Sequence, residues 1–290
     1  MILNYIQRAK QFKTKKRLGQ NFLVDESIIN KIIVEAALNT DDTVIEIGAG
    51  AGFVTEKLAE IAKKVIAIEL DEDAIDVLQA LSYKNIEIIH QDILKTDISA
   101  FVQEPVKIIA NIPYYITSPI IAHLLGEIDE REEKNKNSQC IKEIILMVQY
   151  EVAKRIIANE KSPSKDYGLL SILANYRAET EFICKVPSKS FYPAPKVDSA
   201  LIKLKIRKKP LVEVENPKLF RQIIKAAFST RRKTLKNALL QGGFSSEVLL
   251  KAFNKTGINP NRRGETLSMQ EYKILTQAIE IVTSTFRVSS

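Results

Sequence analysis

From residue 43 onward the chain alternates short β-branched runs with segments of helical spacing, and few architectures accept that alternation. "TVIEIG" (43–48), "KVIAIEL" (64–70), "IEIIHQD" (86–92), "VKIIANI" (106–112) and "EIILMV" (143–148) read as strands. "FVTEKLAEIA" (53–62), "DEDAIDVLQAL" (71–81), "SPIIAHLLGEI" (118–128) and "QYEVAKRIIA" (149–158) place apolar residues at helical intervals. Ser118 is a candidate N-cap, with Pro119 at the first helical position. This order predicts an α/β fold built on a parallel sheet with helices on both faces. "FICKVP" (182–187) and "VDSALIKLKI" (197–206) read as closing strands, and the charged "DEREEKNKNSQ" (129–139) as a surface loop. After "RKKP" (207–210) strand patterns stop, and 217–241 and 268–282 have helical periodicity. The expected organisation is an α/β domain over 1–209, with a basic arm at 1–20, followed by a small all-helical domain over 210–290.

Charge narrows the class of partner. The chain has 290 residues and a net charge of +8. Residues 1–20 hold Arg8, Lys10, Lys13, Lys15, Lys16 and Arg17 without an acid, and residues 201–290 hold 18 Lys and Arg against 6 Asp and Glu. Clustered cations point to a polyanion. No apolar run reaches the ~18–20 residues of a membrane helix, and the basic start lacks the apolar core of a secretory signal. Two histidines, with Cys140 and Cys184 in no ligand-like spacing, give no reason to expect a metal and fit a reducing cytoplasm.

Four successive strand ends carry polar chemistry. The first turn, "EIGAGAG" (46–52), has glycines at 48, 50 and 52, where a dinucleotide fingerprint would need a third glycine at Phe53. The spacing matches the E-x-G-x-G-x-G turn of S-adenosylmethionine (SAM) methyltransferases and disfavours NAD. Glu69 lies about 20 residues on, where a carboxylate can take ribose hydroxyls. Asp92 closes the next strand and could accept from an adenine amino group. Asn111 closes the one after, and Asn111-Ile112-Pro113-Tyr114 fits the Asn/Asp-Pro-Pro-Tyr pattern of enzymes that methylate exocyclic base amines. The Asn111 side-chain oxygen and the Ile112 carbonyl could accept both N6 hydrogens and stabilise the charge that develops on nitrogen. Tyr114 offers a stacking face for a base taken out of its helix. In "SFYPAPKVDSALIKL" (190–204), Phe191 could close the opposite face or be a core aromatic. Arg231, Arg232, Lys233 and Lys236 in "FSTRRKTLKNAL" (228–239) are candidate RNA contacts.

"RLGQNFLVD" (17–25), "VIEIGAGAGFVT" (44–55), "ANIPYYITSPI" (110–120), "KDYGLLS" (165–171), "FYPAPKVDSALI" (191–202) and "AFSTRRKTLKNAL" (227–239) occur in the order seen in the KsgA family of small-subunit ribosomal RNA adenine dimethyltransferases, which the chain resembles over nearly its whole length. The resemblance implies a Rossmann-like SAM-dependent methyltransferase sheet with a helical RNA-binding domain, acting as a cytoplasmic monomer on small-subunit rRNA in the 30S precursor. The implied reaction is dimethylation of two adjacent adenosines in the loop of the hairpin near the 3′ end. It also implies that Asn21 and Leu23 close over the cofactor, Gly48 and Gly50 line it, Glu69 holds the ribose, Asp92 the adenine and Asn111 the methyl-donor end, with Tyr114 and Phe191 around the target base. Pro163-Ser164 and the length of 129–139 depart from the family pattern. Erythromycin-resistance methylases, which act on large-subunit RNA, share most of these motifs. A non-catalytic ribosome-assembly or nucleic-acid-binding factor is the alternative from another class, against which the intact Asn111–Tyr114 run argues.

Overall fold

The structure, a computed structural model, describes residues 4–12, 14–15, 19–130, 136–230 and 232–288, with side chains described to 285. Its strands are β1 (Phe22–Leu23), β2 (Thr43–Ile47), β3 (Lys64–Glu69), β4 (Ile86–His90), β5 (Val106–Asn111), β6 (Ile141–Gln149), β7 (Ala178–Val186), β8 (Phe191–Tyr192) and β9 (Ser199–Ile206). Its helices are α1 (Tyr5–Gln11), α2 (Glu26–Ala36), α3 (Phe53–Ala59), α4 (Glu72–Gln79), α5 (Thr117–Leu125), α6 (Lys136–Gln139), α7 (Tyr150–Ile157), α8 (Leu169–Arg177), α9 (Pro217–Phe228), α10 (Leu235–Gln241), α11 (Ser246–Thr256) and α12 (Met269–Val288).

The main sheet runs β4-β3-β2-β5-β6-β9-β7. β4, β3, β2, β5 and β6 are parallel, and β9 pairs antiparallel with β6. The chain steps outward from β2 to β4, then returns so that β5 lies on the other side of β2. That reversal opens a crevice at the carboxyl ends of β2 and β5, where ligands of such sheets bind. Val44, Ile45 and Ile47 of β2 and Ile108, Ile109 and Ala110 of β5 are buried, as the continuous apolar runs require for strands covered on both faces. The short β1 pairs antiparallel with β8, outside the main sheet.

Local signals decide most element ends. Asp25 and Asp71 cap α2 and α4, each accepting from the backbone two residues on. α5 differs from expectation: it starts at Thr117, directly after a 3₁₀ turn over Tyr114–Ile116, so Ser118 is not its cap. Thr117 Oγ1 donates to the Tyr114 carbonyl at 3.2 Å and joins the turn to the helix. The periodic segment 217–241 is two helices, α9 and α10, with Thr234 capping the second. Within 129–139 the described part includes the four-residue α6.

The chain divides into two compact units: residues 1–126, 135–153 and 180–206 form one, and 127–134, 154–179 and 207–290 the other. The compact units therefore do not follow a single boundary at 209/210. Residues 154–179 join the helical unit, where Tyr167 packs edge-on against Phe228 (5.7 Å) and Tyr176 lies tilted against Phe220 (5.9 Å). No described helix is long and apolar enough to cross a membrane.

Candidate active site

A cleft with about 870 Å³ of empty space opens at the switch point between β2 and β5, wholly within the sheet-bearing unit. Its floor is the glycine turn. Gly48 has φ +74°, and a Cβ there would lie 3.1 Å from the Asn111 carbonyl oxygen, so the turn passes β5 more closely than a side chain allows. Gly50 (φ +53°) meets the Phe22 ring in the same way, at 3.0 Å.

Glu69, at the end of β3, faces this turn. Its Oε2 accepts the Gly50 N–H at 2.8 Å, while Oε1 accepts from Leu70 at 2.8 Å and Asp71 at 3.0 Å. The carboxylate thus ties the glycine turn to the head of α4 and keeps one lone-pair site, on Oε2, at the cleft edge. Asp92 sits at the end of the neighbouring strand, with Oδ1 accepting from Leu94 N–H at 3.0 Å. Beneath the turn, Glu46 is fully buried, and burial pushes its carboxyl up to about 8 against the hydrogen bond from Thr55 Oγ1 at 2.5 Å. The neighbouring Glu69 charge pushes the same way. Glu46 supports the turn from the core and is not part of the cleft wall.

The other wall is Asn111–Tyr115. Asn111 Nδ2 donates to the Asn21 carbonyl at 3.4 Å, which orients the amide and leaves Oδ1 without a protein donor among the described residues. Ile112 is buried, Pro113 starts the 3₁₀ turn, and Tyr114 is half-buried, its hydroxyl 2.6 Å from Ser199 Oγ. Burial raises the Tyr114 phenol above its ordinary value. Tyr115 is 63% exposed.

Of the residues singled out in the sequence, Asn21, Gly48, Gly50, Glu69, Asp92, Asn111, Ile112, Pro113 and Tyr114 all line this cleft. Leu23 and Phe191 do not: each is 3% exposed and packs in the core of the sheet-bearing unit. They are direct partners across the β1–β8 ladder, and directly opposed residues share a face, so both turn inward together. In this structure Phe191 presents no face to a base. Gln20, Leu70, Gln91, Ile93 and Tyr115 line the cleft without having been singled out. Gln91 and Leu70 had a readable signal, since each neighbours a strand-end acid; the position of Gln20 depends on contacts distant in sequence.

In the helical unit, Arg232 and Lys233 are exposed and Lys236 is half-buried in α10; Arg231 lies outside the described residues. Lys233 Nζ donates to Gln241 Oε1 at 2.7 Å. The N-terminal cations are partly engaged within the chain. Arg8 pairs with Glu56 at 2.5 Å and lies over the Phe53 ring, and Lys15 pairs with Asp71 and Asp73.

Comparison with known proteins follows the same lines. Residues 11–280 match the family described as ribosomal RNA adenine dimethylase. A protein of Caldanaerobacter subterraneus subsp. tengcongensis named ribosomal RNA small subunit methyltransferase A is 42% identical over 277 residues, covering 93% of this chain and 98% of its own. One of Clostridium botulinum with the same name is 44% identical over 274 residues, covering 93% and 95%. Among solved structures, a dimethyladenosine transferase of Plasmodium falciparum superposes with a TM-score of 0.74 at 28% identity, over 90% of this chain and 98% of its own. The 23S rRNA methyltransferase ErmE gives 0.66 at 27% identity, over 90% and 100%.

Proposed function

The chain belongs to the ribosomal RNA adenine dimethylase family, and from that premise we propose that it transfers methyl groups from SAM to the N6 amines of two adjacent adenosines in the 3′-terminal hairpin loop of small-subunit rRNA. The observation that carries this reading is the juxtaposition, in one cleft, of the glycine turn and Glu69 with Asn111-Ile112-Pro113-Tyr114.

The cleft fits a nucleoside-bearing cofactor. The glycine turn is a cradle that a side chain at Gly48 would close, and its Gly50 amide is held by Glu69. Glu69 would hold the ribose, Asp92 the adenine amine, and the apolar Leu70 and Ile93 the adenine faces. Bound SAM supplies an electrophilic methyl on its sulfonium. The chain's residues then orient and polarise the acceptor. The N6 lone pair of adenine is delocalised into the ring. Acceptance of its hydrogens by Asn111 Oδ1 and the Ile112 carbonyl favours a pyramidal nitrogen and stabilises its developing charge. Because Nδ2 is committed to Asn21, the amide presents oxygen to the amine. Tyr114, anchored through Ser199, stacks on the extruded base. Leu23 and Phe191 act from the core, fixing the β1–β8 ladder that carries Asn21 and Phe22 to the cleft. Arg232, Lys233, Lys236 and Arg231 would contact phosphates, making residues 210–290 the main RNA-binding part. The protein would work as a cytoplasmic monomer on the 30S precursor during subunit biogenesis.

A large-subunit target is the second reading, favoured by the likeness to ErmE. The greater identity of the relatives named for the small subunit weighs against it. The deciding experiment is labelled-methyl transfer from SAM to unmethylated small subunits and, separately, to unmethylated large-subunit RNA, with the product nucleoside identified. N6,N6-dimethyladenosine in small-subunit RNA is expected. Methylation of large-subunit RNA alone would overturn the target, and absence of transfer to either would favour a non-catalytic assembly factor.

A further inference from the structure

Asp71 is the capping residue of α4, and capping alone would account for an aspartate there. Yet it is only 2% exposed, and its contact to the Asp73 N–H is long, at 3.4 Å. Its two carboxylate oxygens are taken by a segment more than fifty positions away in sequence. Oδ1 accepts from Lys15 Nζ, and Oδ2 accepts from Gln20 Nε2 at 2.5 Å. Lys15 Nζ also lies 2.8 Å from Asp73 Oδ2, and Gln20 Oε1 accepts the Lys15 N–H at 2.6 Å. Burial pushes the Asp71 carboxyl up, but Lys15 and Gln20 more than offset that and hold it below its ordinary value.

The segment held this way touches both halves of the cleft. Phe22 lies on Gly50 of the glycine turn, Gly19 lies against Tyr115 and Pro113, and the Asn21 carbonyl takes the Asn111 amide. Lifting it would expose the cofactor half, free the Asn111 amide to rotate and leave a buried carboxylate to be rehydrated.

We propose that Asp71 is a positioning residue that latches Lys15 and Gln20, and with them Gly19, Asn21 and Phe22, against the cleft, so that cofactor affinity and amide orientation both depend on the latched state. This rests on the SAM reading of the cleft. When only part of a population is binding-competent, apparent affinity falls by that fraction.

The test separates latching from capping. Asp71→Ser keeps an N-cap acceptor but is too short to reach the arm, Asp71→Asn keeps cap and shape without the charge, and Lys15→Met changes no residue of α4 or of its cap. SAM affinity by calorimetry should fall about tenfold for Asp71→Ser and about threefold for Asp71→Asn and Lys15→Met, as expected if the latched fraction drops to about a tenth and a third. Trypsin cleavage after Arg17, a site all three variants keep, should be faster than in the wild type without SAM, while the rest of the chain remains protected. Wild-type affinity in Asp71→Ser and Lys15→Met would overturn the coupling, and unchanged arm cleavage would overturn the latch even if wild-type protein binds SAM. If Asp71→Ser fails to fold, Lys15→Met decides by the same two readouts. A wild-type protein that binds no SAM overturns the cofactor reading and the coupling with it, whereas arm cleavage still judges the latch.

Discussion

At the scale of single residues, the site depends on which lone pairs remain available after the protein's own hydrogen bonds are counted. Asn111 spends its NH₂ on Asn21 and keeps Oδ1. Asn111→Ala should therefore lower the single-turnover rate of methyl transfer at saturating SAM and subunits by ~10²–10³, the usual effect of removing one preorganised partner of a developing charge. A near-normal rate would make the amide a strand-end cap. From the sequence alone, Tyr114→Phe is expected to be well tolerated, because stacking survives. The structure adds a cost in folding stability to that expectation. Ser199 is fully buried, and Tyr114→Phe removes its 2.6 Å partner at a cost of about 1 kcal/mol in stability. The double variant Tyr114→Phe/Ser199→Ala should recover most of that loss in thermal melts, and additive losses would show that the two hydroxyls are not coupled. The strand-end residues were legible because each closes an apolar run in the sequence. Leu23 and Phe191 were not, because the facing of a two-residue strand is set by its partner and not by its own alternation.

Among elements, β2 and its turn carry an ionisable group that the function does not use directly. Unfolded, Glu46 loses its proton near 4.5; folded, it holds it to about 8. Between those values the native state binds the extra proton, so Glu46 subtracts from stability progressively as pH rises through that window. Glu46→Gln keeps an acceptor for Thr55 without the charge. Its stability should match wild type near pH 5 and exceed it by roughly 3–5 kcal/mol at pH 8.5, from the size of the shift. Parallel pH-dependent denaturation curves for the two proteins would contradict this. The alternating periods located the parallel strands and the helices between them. They missed the breaks, such as the one between Phe228 and Leu235 that divides 217–241 into α9 and α10, because apolar spacing resumes on both sides and only the Thr234 cap marks the new start.

For the molecule as a whole, the cleft and the described residues of the basic cluster lie in different compact units. Charge reversal at Arg232 and Lys233 should weaken binding to small subunits and flatten its salt dependence by about one unit of slope for each phosphate no longer neutralised. SAM affinity should not change, because no described residue of the helical unit lines the cleft. An unchanged salt slope would show that the cluster is a solvated face.

The amino-acid order by itself determined the parallel α/β sheet, the glycine turn and the four polar strand ends. These follow from local periodicity and from residues whose chemistry is tied to a strand terminus. Only the tertiary structure decided that 154–179 packs with the helical unit, that Phe191 faces the core, and that Lys15 is held by Asp71 rather than left for a polyanion. Each of these depends on side chains that meet across tens of residues, where burial and pairing override what a neighbouring sequence window can show.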